Sequence, residues 1–342
     1  MAGTIFGPHN VTTTENSTLE TEVFSGIRIF RICIYFAIPV VGLIGNGLVI
    51  FVNGYKMKVT VNSIWFLNLA IADFIFSLTL ITTIILGLCK MAWHLGDFKC
   101  KLIQFMIYLN MFASIFLLTT ISLDRCLCTW MAVWTRNNRT LFKARIICKI
   151  VWVLSISCSI PAVINHSTAL PKGICNSPTT IESFKSLVTY RFTVGFLIPF
   201  LIIAFSYIAI AVQVKRLKEG KQFRSYRLII AVVLAFFICW LPYHILELYY
   251  ISAEINQWSE SAKEVLLNTD FVVNCLTFFN SCLNPILYVF MCDEYKKKLK
   301  QSLLLVLETA FAEDHLDFKV SKQTKDITIS MPANCQDEKP SH

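Results

Sequence analysis

Ser63-Ile-Trp-Phe-Leu-Asn68-Leu-Ala-Ile-Ala-Asp73-Phe-Ile-Phe-Ser77-Leu-Thr-Leu-Ile-Thr-Thr-Ile-Ile-Leu-Gly-Leu-Cys89 is a run of 27 residues with one charged side chain, the carboxylate of Asp73. At a rise of about 1.5 Å per residue, a span of about 20 apolar residues crosses the hydrocarbon core of a bilayer. A soluble helix of this length would show a polar stripe, and this one does not. Read outward, the same kind of run recurs near Ile27–Val52, Leu102–Met131, Ile146–Ile164, Leu187–Val214, Leu228–Ile251 and Val265–Met291. Backbone groups in lipid must be satisfied within the segment, so the seven runs read as seven helices. The expectation is an all-α, integral-membrane seven-transmembrane helix bundle.

Composition agrees. Of 342 residues, 55% are hydrophobic and 15% charged, against about 25% charged in an average soluble domain. The net charge of +9 could suggest nucleic acid, but the bases sit beside the apolar runs. Lys56 and Lys58 follow the first span; Arg136, Arg139, Lys143 and Arg145 follow the third. Lys215, Arg216, Lys218, Lys221, Arg224 and Arg227 follow the fifth, and Lys296, Lys297, Lys298 and Lys300 follow the seventh. The alternate segments are poorer in bases and hold Glu254, Glu260 and Glu264. The positive-inside rule then predicts an extracellular N-terminus and a cytoplasmic C-terminus. The charge is membrane topology, and no nucleic acid is expected as partner.

Four regions are expected. Residues 1–26 lack the basic start and short apolar core of a cleavable signal and read as an extracellular tail. Asn10-Val-Thr and Asn16-Ser-Thr in this tail, and Asn165-His-Ser after the fourth span, are glycosylation acceptors on the same face. Asn138-Arg-Thr fits the pattern but falls on the cytoplasmic side. Residues 27–291 hold the bundle. Residues 292–312 place Leu299, Leu303 and Leu307 at intervals of four among lysines, the pattern of an amphipathic helix on the inner leaflet. Residues 313–342 are polar and read as a disordered cytoplasmic tail.

Polar groups at mid-depth are costly unless paired or hydrated. Asn46, Asp73, Asn110, Ser114, Asn280, Ser281 and Asn284 fall there, and interhelical hydrogen bonding is the plain alternative to a cation site around Asp73. The thirteen Cys are too dilute for a disulfide scaffold, and the six His show no metal-site spacing, so an enzyme is not expected. A transporter or channel would show inverted repeats, broken helices or charged rings, and none is visible.

Asn46, Asp73, Asp124-Arg125-Cys126, Trp152, Pro199, Cys239-Trp240-Leu-Pro242 and Asn284-Pro285-Ile-Leu-Tyr288 fall one after another through the seven spans. In this order they resemble the rhodopsin-like G-protein-coupled receptors, over roughly residues 27–312. The resemblance implies a plasma-membrane receptor with a heterotrimeric G protein and arrestin as cytoplasmic partners. It implies an allosteric sodium ion at Asp73, Ser114, Asn110, Asn280 and Asn284. Arg125 would pack on Asp124 at rest and reach the G protein when active, with Asp124 a proton-uptake site. Pro199, Ile115 and Phe236 would connect pocket to cytoplasm, Trp240 would be the toggle at the pocket floor, and Tyr207 and Tyr288 would swing inward. Cys100 and Cys175 match the family's disulfide. Cys126 stands where most of the superfamily has Tyr.

Ser122-Leu-Asp124-Arg125-Cys126-Leu-Cys128, Val133-Trp134-Thr-Arg-Asn-Asn-Arg139-Thr140, Arg191-Phe192 before Gly195-Phe196, and Phe279 through Met291 are similar to the chemoattractant group of formyl-peptide and chemerin receptors. That group implies Gi-type coupling, chemotaxis, calcium release and a peptide or lipid mediator as extracellular ligand. A chemosensory or ligand-scavenging relative with altered coupling is the alternative. Arg191, about two turns outward of Pro199, should face the pocket. Its partner is either a ligand carboxylate or an internal acid, Glu247 or Asp270. Tyr108, Met111, Trp240, Tyr243 and His244 are the other expected ligand-binding residues, His244 as a hydrogen-bonding group, with Tyr249 and Phe271 as aromatic walls. Tyr108 stands where formyl-peptide receptors place an acid, and Leu187 where they carry a second Arg.

Overall fold

A computed structural model describes residues 17–88, 96–165, 167–169, 174–176, 180–217, 223–291 and 297. Among them, helix α1 runs Ser17–Phe51 and continues as a π-helical turn, Val52–Lys56. Helix α2 is Val61–Leu88, α3 Gly96–Trp130, α4 the short Ala132–Asn138, and α5 Leu141–Asn165. A hairpin follows, with β1 Ser167–Ala169 antiparallel to β2 Ile174–Asn176 and Thr168 opposite Cys175. Helix α6, Ile181–Phe192, passes through a π-helical stretch, Thr193–Leu197, into α7, Ile198–Leu217. Helices α8, Phe223–Ile255, and α9, Glu260–Met291, complete the described chain.

Seven of these segments are long and apolar enough to cross a membrane, as expected: α1, α2, α3, α5, the α6–α7 pair, α8 and α9. They form a ring in which α1 lies between α2 and α9, α8 packs on α9, and α3 runs through the middle against α2, α5 and α7. The hairpin lies against α3. The bundle is inside out relative to a soluble protein. Phe205, Ile208, Ile238 and Val153 point outward, while Asn46, Asp73, Asn110 and Asn284 are buried. Outward apolar side chains lose nothing in lipid, and inward polar groups find each other there.

Helix ends differ from the apolar runs. Helix α1 starts ten residues before Ile27, α5 five before Ile146, and α6 six before Leu187. Hydropathy marks only the part of a helix inside hydrocarbon, and the ends continue into the interface. Thr180 caps α6, its hydroxyl accepting from the Ser183 amide at 3.2 Å. Asn10, Asn16, the expected surface helix 292–312 apart from Lys297, and the tail 313–342 lie outside the described residues.

Two glycines set close approaches. A Cβ on Gly42 would sit 2.6 Å from Ser77 Oγ of α2, and one on Gly195 would sit 2.6 Å from Met111 Cε of α3. Small residues at such crossings let membrane helices pack backbone to backbone.

Candidate functional site

The site begins with the π-helical stretch Thr193–Leu197. Pro199 has no amide hydrogen, and its ring opposes a regular turn before it. The chain answers with the wider turn, closed by the Ile198 amide on the Thr193 carbonyl. One extra residue in a turn rotates everything before it by about 100°. Arg191 is thereby directed into the bundle, where it is almost fully buried.

Arg191 forms an ion pair with Glu247 of α8, and the side chains are 4% and 2% exposed. Its guanidinium also donates to the Tyr108 hydroxyl. It lies over the rings of Tyr108 and Tyr243, at 4.9 and 4.8 Å from their centroids. Of the two internal acids, Glu247 and not Asp270 is the one that pairs with Arg191. Tyr243 carries the contact inward: its ring meets Trp240 edge-on at 5.6 Å, and Trp240 stacks on Phe236 at 5.9 Å. Ile115, Met111 and Phe236 are buried in the same apolar core.

His244 is boxed by Phe196 at 4.8 Å, Phe192 and Tyr243 at 5.6 Å and Trp240 at 6.5 Å. Among the described residues neither ring nitrogen has a hydrogen-bond partner, where a bonded histidine is expected from the sequence. The box presents mainly ring faces to the imidazole. Tyr249 is 50% exposed and packs on Trp258, apart from the ring cluster around His244. Phe271 packs on Tyr35 and beneath Arg31 of α1. Asp270 is buried on α9, where its carbonyl accepts from Asn274.

Mid-bundle, Asp73 is fully buried and both oxygens are engaged. Asn110 Nδ2 donates to Oδ1 at 2.9 Å and Asn284 Nδ2 to Oδ2 at 2.7 Å. Asn46 Nδ2 donates to the Gly42 and Ser281 carbonyls, tying α1 to α9. Ser114 Oγ and Asn110 Oδ1 are buried without partners. A carboxylate with spare oxygens beside it is a donor set suited to a hard monovalent cation. Asn280 is buried on α9, and Tyr288 packs on Phe66 at 5.0 Å.

At the end of the bundle where α3 finishes, Asp124 Oδ2 accepts from Arg125 at 2.7 Å, the expected resting pair. A second arginine shares it: Arg139 donates through Nε to Oδ1 at 2.8 Å and through its terminal nitrogen to Oδ2 at 2.9 Å. Asn62 Oδ1 accepts from both guanidiniums. The sequence marked Arg139 as a topological charge and as part of the Val133–Thr140 stretch, without a role at Asp124, and left Asn62 unremarked, since a polar residue one position into a helix carries no distinctive signal. Cys126 packs with Tyr207 against Ile210 and Val214, where a small apolar filler replaces the usual Tyr. Cys100 lies in α3 and Cys175 in β2; their side chains, like that of Asn165, lie outside the described ones.

The family described as 7 transmembrane receptor (rhodopsin family) matches residues 45–288. The C3a anaphylatoxin chemotactic receptor of Danio rerio is 38% identical, covering 90% of this chain and 85% of its own length. Chemerin-like receptor 1 of Homo sapiens is 35% identical, covering 87% and 83%. The fMet-Leu-Phe receptor of Macaca mulatta is 35% identical, covering 92% and 96%. Such proteins are receptors, not enzymes; they work embedded in the plasma membrane with a G protein inside and a ligand outside. With its seven spans and its match across most of the bundle, this chain belongs to the rhodopsin family of G-protein-coupled receptors, within its chemoattractant group.

Proposed function

We propose that this receptor responds to a chemoattractant-type peptide or lipid mediator carrying an anionic group, and that Arg191 is the residue that reads it. The observation carrying this is the placement of a buried cation over Tyr243, which is in ring contact with Trp240. A ligand carboxylate arriving at Arg191 would take the place of Glu247, loosening the tie between α6 and α8. That change passes to Tyr243 and Trp240, then along Phe236 and Ile115 to the cytoplasmic half. Arg191 has a further nitrogen, Nε, without a partner. A guanidinium can therefore accept a two-oxygen ligand group in fork geometry. Tyr108, Met111 and His244 line the same buried region.

The Gi-type coupling, chemotaxis, calcium release and arrestin binding of this reading follow from the likeness to the chemoattractant group. The intact Asp124–Arg125 pair supports coupling over scavenging. Sodium at Asp73, Ser114, Asn110, Asn280 and Asn284 would favour the resting state by holding α2, α3 and α9 together. The Cys100–Cys175 bridge would pin the hairpin to α3, in keeping with their packing. Basic loops on the inner side support an extracellular N-terminus glycosylated at Asn10 and Asn16, with Asn165 on the same face.

The test is Gi activation in cells expressing the full chain, challenged with C3a, chemerin C-terminal peptides, fMet-Leu-Phe and lipid acids. Each active ligand is repeated on Arg191→Ala and as its carboxyl amide. Loss of potency for both supports the reading. A response unchanged by Arg191→Ala would overturn the assignment of Arg191.

A further inference from the structure

We propose that Arg139 is a positioning residue for G-protein activation: it keeps hold of Asp124 when Arg125 departs, so that the switch is a handover between two guanidiniums. Three observations carry this. Arg139 grips both carboxylate oxygens, through Nε at 2.8 Å and its terminal nitrogen at 2.9 Å, whereas Arg125 reaches only Oδ2. The Nε of Arg125 is buried with no partner. The fork of Arg139 is therefore the stronger partner, and Arg125 is the one that can leave.

The second observation is how Arg139 is placed. Thr135 is buried, and its hydroxyl donates to the Leu127 carbonyl at 3.1 Å and the Met131 carbonyl at 2.7 Å. These bonds staple α4 to the end of α3. The Arg139 amide then closes α4 on the Thr135 carbonyl at 2.9 Å. Arg139 thus sits on α3's own frame and need not follow Arg125. The third is Asn62, whose single amide oxygen accepts from both arginines. When one donor leaves, the other still satisfies it.

A half-buried carboxylate, 14% exposed, that loses its only cation is driven toward protonation or destabilises the fold. With Arg139 in place it does neither, so Asp124 stays ionised through the switch and the proton uptake expected from the sequence is not needed. Among the described residues, the ionisable groups that act on Asp124 are Arg125 and Cys128 of its own helix and Arg139. Helix α2 presents the uncharged Asn62, Tyr207 of α7 lies near Arg125, and Lys143 of α5 is turned to Asn138 at 3.2 Å. Burial alone would lower the Arg139 guanidinium, but its bonds to Asp124 hold it above its ordinary value, so it does not titrate near neutrality.

The experiment is ligand-free thermal unfolding of the purified full-length receptor between pH 5.5 and 8.0, a range of about two and a half tenfold steps in proton activity around the pH where a buried acid titrates. The variants are Arg125→Gln, Arg139→Gln, the double variant, and the double variant with Asp124→Asn. Each single loss should leave the pH profile parallel to wild type. The double should lose more than the sum, and its melting temperature should fall as pH rises, because an unpaired, half-buried carboxyl is better accommodated protonated than ionised. Adding Asp124→Asn should restore most of the loss and flatten the profile. If the double variant fails to reach the surface, the same logic is read by flow cytometry, with Asp124→Asn restoring surface expression. Additive single losses with parallel profiles, or no rescue by Asp124→Asn, would make Arg139 a loop anchor and overturn the proposal.

Discussion

Removing Glu247 separates a buried ion pair whose value is otherwise hidden. In Glu247→Ala, Arg191 remains inside the bundle with its charge uncompensated. Breaking a buried pair from one side costs about 3–5 kcal/mol, while replacing both partners with apolar groups is often neutral. Two features put this case at the lower end. The guanidinium keeps its bond to Tyr108, and it keeps the faces of Tyr108 and Tyr243, at 4.9 and 4.8 Å. A desolvated cation–π contact contributes up to about 2 kcal/mol. Those contacts persist in the variant and soften the isolation of the cation. The expected loss of ligand-free stability is therefore about 3 kcal/mol.

The assay is a double-mutant cycle on Glu247→Ala, Arg191→Leu and both together, read as equilibrium or thermal unfolding of the purified receptor. Glu247→Ala should be clearly less stable than wild type, and the double variant should recover most of the loss. The same single variant should bind carboxylate-bearing ligands more tightly, since Arg191 no longer has an occupant to displace. At about 1.4 kcal/mol per tenfold, the ceiling on that gain is about two orders of magnitude. A Glu247→Ala receptor as stable as wild type, with no gain for any anionic ligand, would refute the role given to the Arg191–Glu247 pair.

Three further changes probe the bundle. Gly45→Val should destabilise the receptor by about 1–3 kcal/mol and lower surface expression, because a Cβ there meets the rigid Pro285 ring at 3.0 Å. Flow cytometry and unfolding of purified protein check it. Asn46→Leu removes the 2.8 Å bond to the Ser281 carbonyl and should cost about 0.6 kcal/mol, up to about 1.7, in the same unfolding assay. Asp73→Asn should abolish any difference in agonist affinity between sodium and choline chloride; a wild-type receptor indifferent to sodium would remove the ion from the mechanism.

Much of the bundle was legible because lipid imposes one rule on every spanning segment. The run around Asp73 could only be a helix, and its lone carboxylate had to face inward. The cluster of Asn110, Asn284 and Asp73 followed from the same cost. Helix ends were not legible, because water satisfies backbone groups beyond the hydrocarbon and removes the compositional signal. Partner choice was not legible either. Arg191 stood equally in register with Glu247, Asp270 or a ligand, and only the π-helical stretch before Pro199 settles which way it turns. Gly195 and Pro199 four residues apart were the available hint. Tyr249 is a second case: an aromatic near the end of α8 reads as a pocket wall, and its observed contact is Trp258, which no periodicity in the sequence points to.

Both ends of the receptor solve one electrostatic problem in one way. A charged group that moves through a low-dielectric interior cannot be left bare at the midpoint of its movement. On the proposed reading, Arg191 holds Glu247 at one end until a ligand anion replaces it, and at the other end Asp124 holds Arg139 while Arg125 leaves. In each case a second group of the right sign is already within bonding distance. Between them, Tyr243, Trp240 and Phe236 form an uncharged column in ring contact, which transmits displacement without transferring charge. Such a receptor can switch without proton exchange at either end. Its response should accordingly hold level across mildly acidic extracellular pH, as long as the ligand group itself stays ionised. Agonist concentration–response curves for Gi activation at pH 6.5 and 7.5 test this directly. A wild-type potency that changes tenfold over that unit, with a ligand carboxylate fully ionised at both, would show that a proton does move and that the exchange at one of the two ends is incomplete.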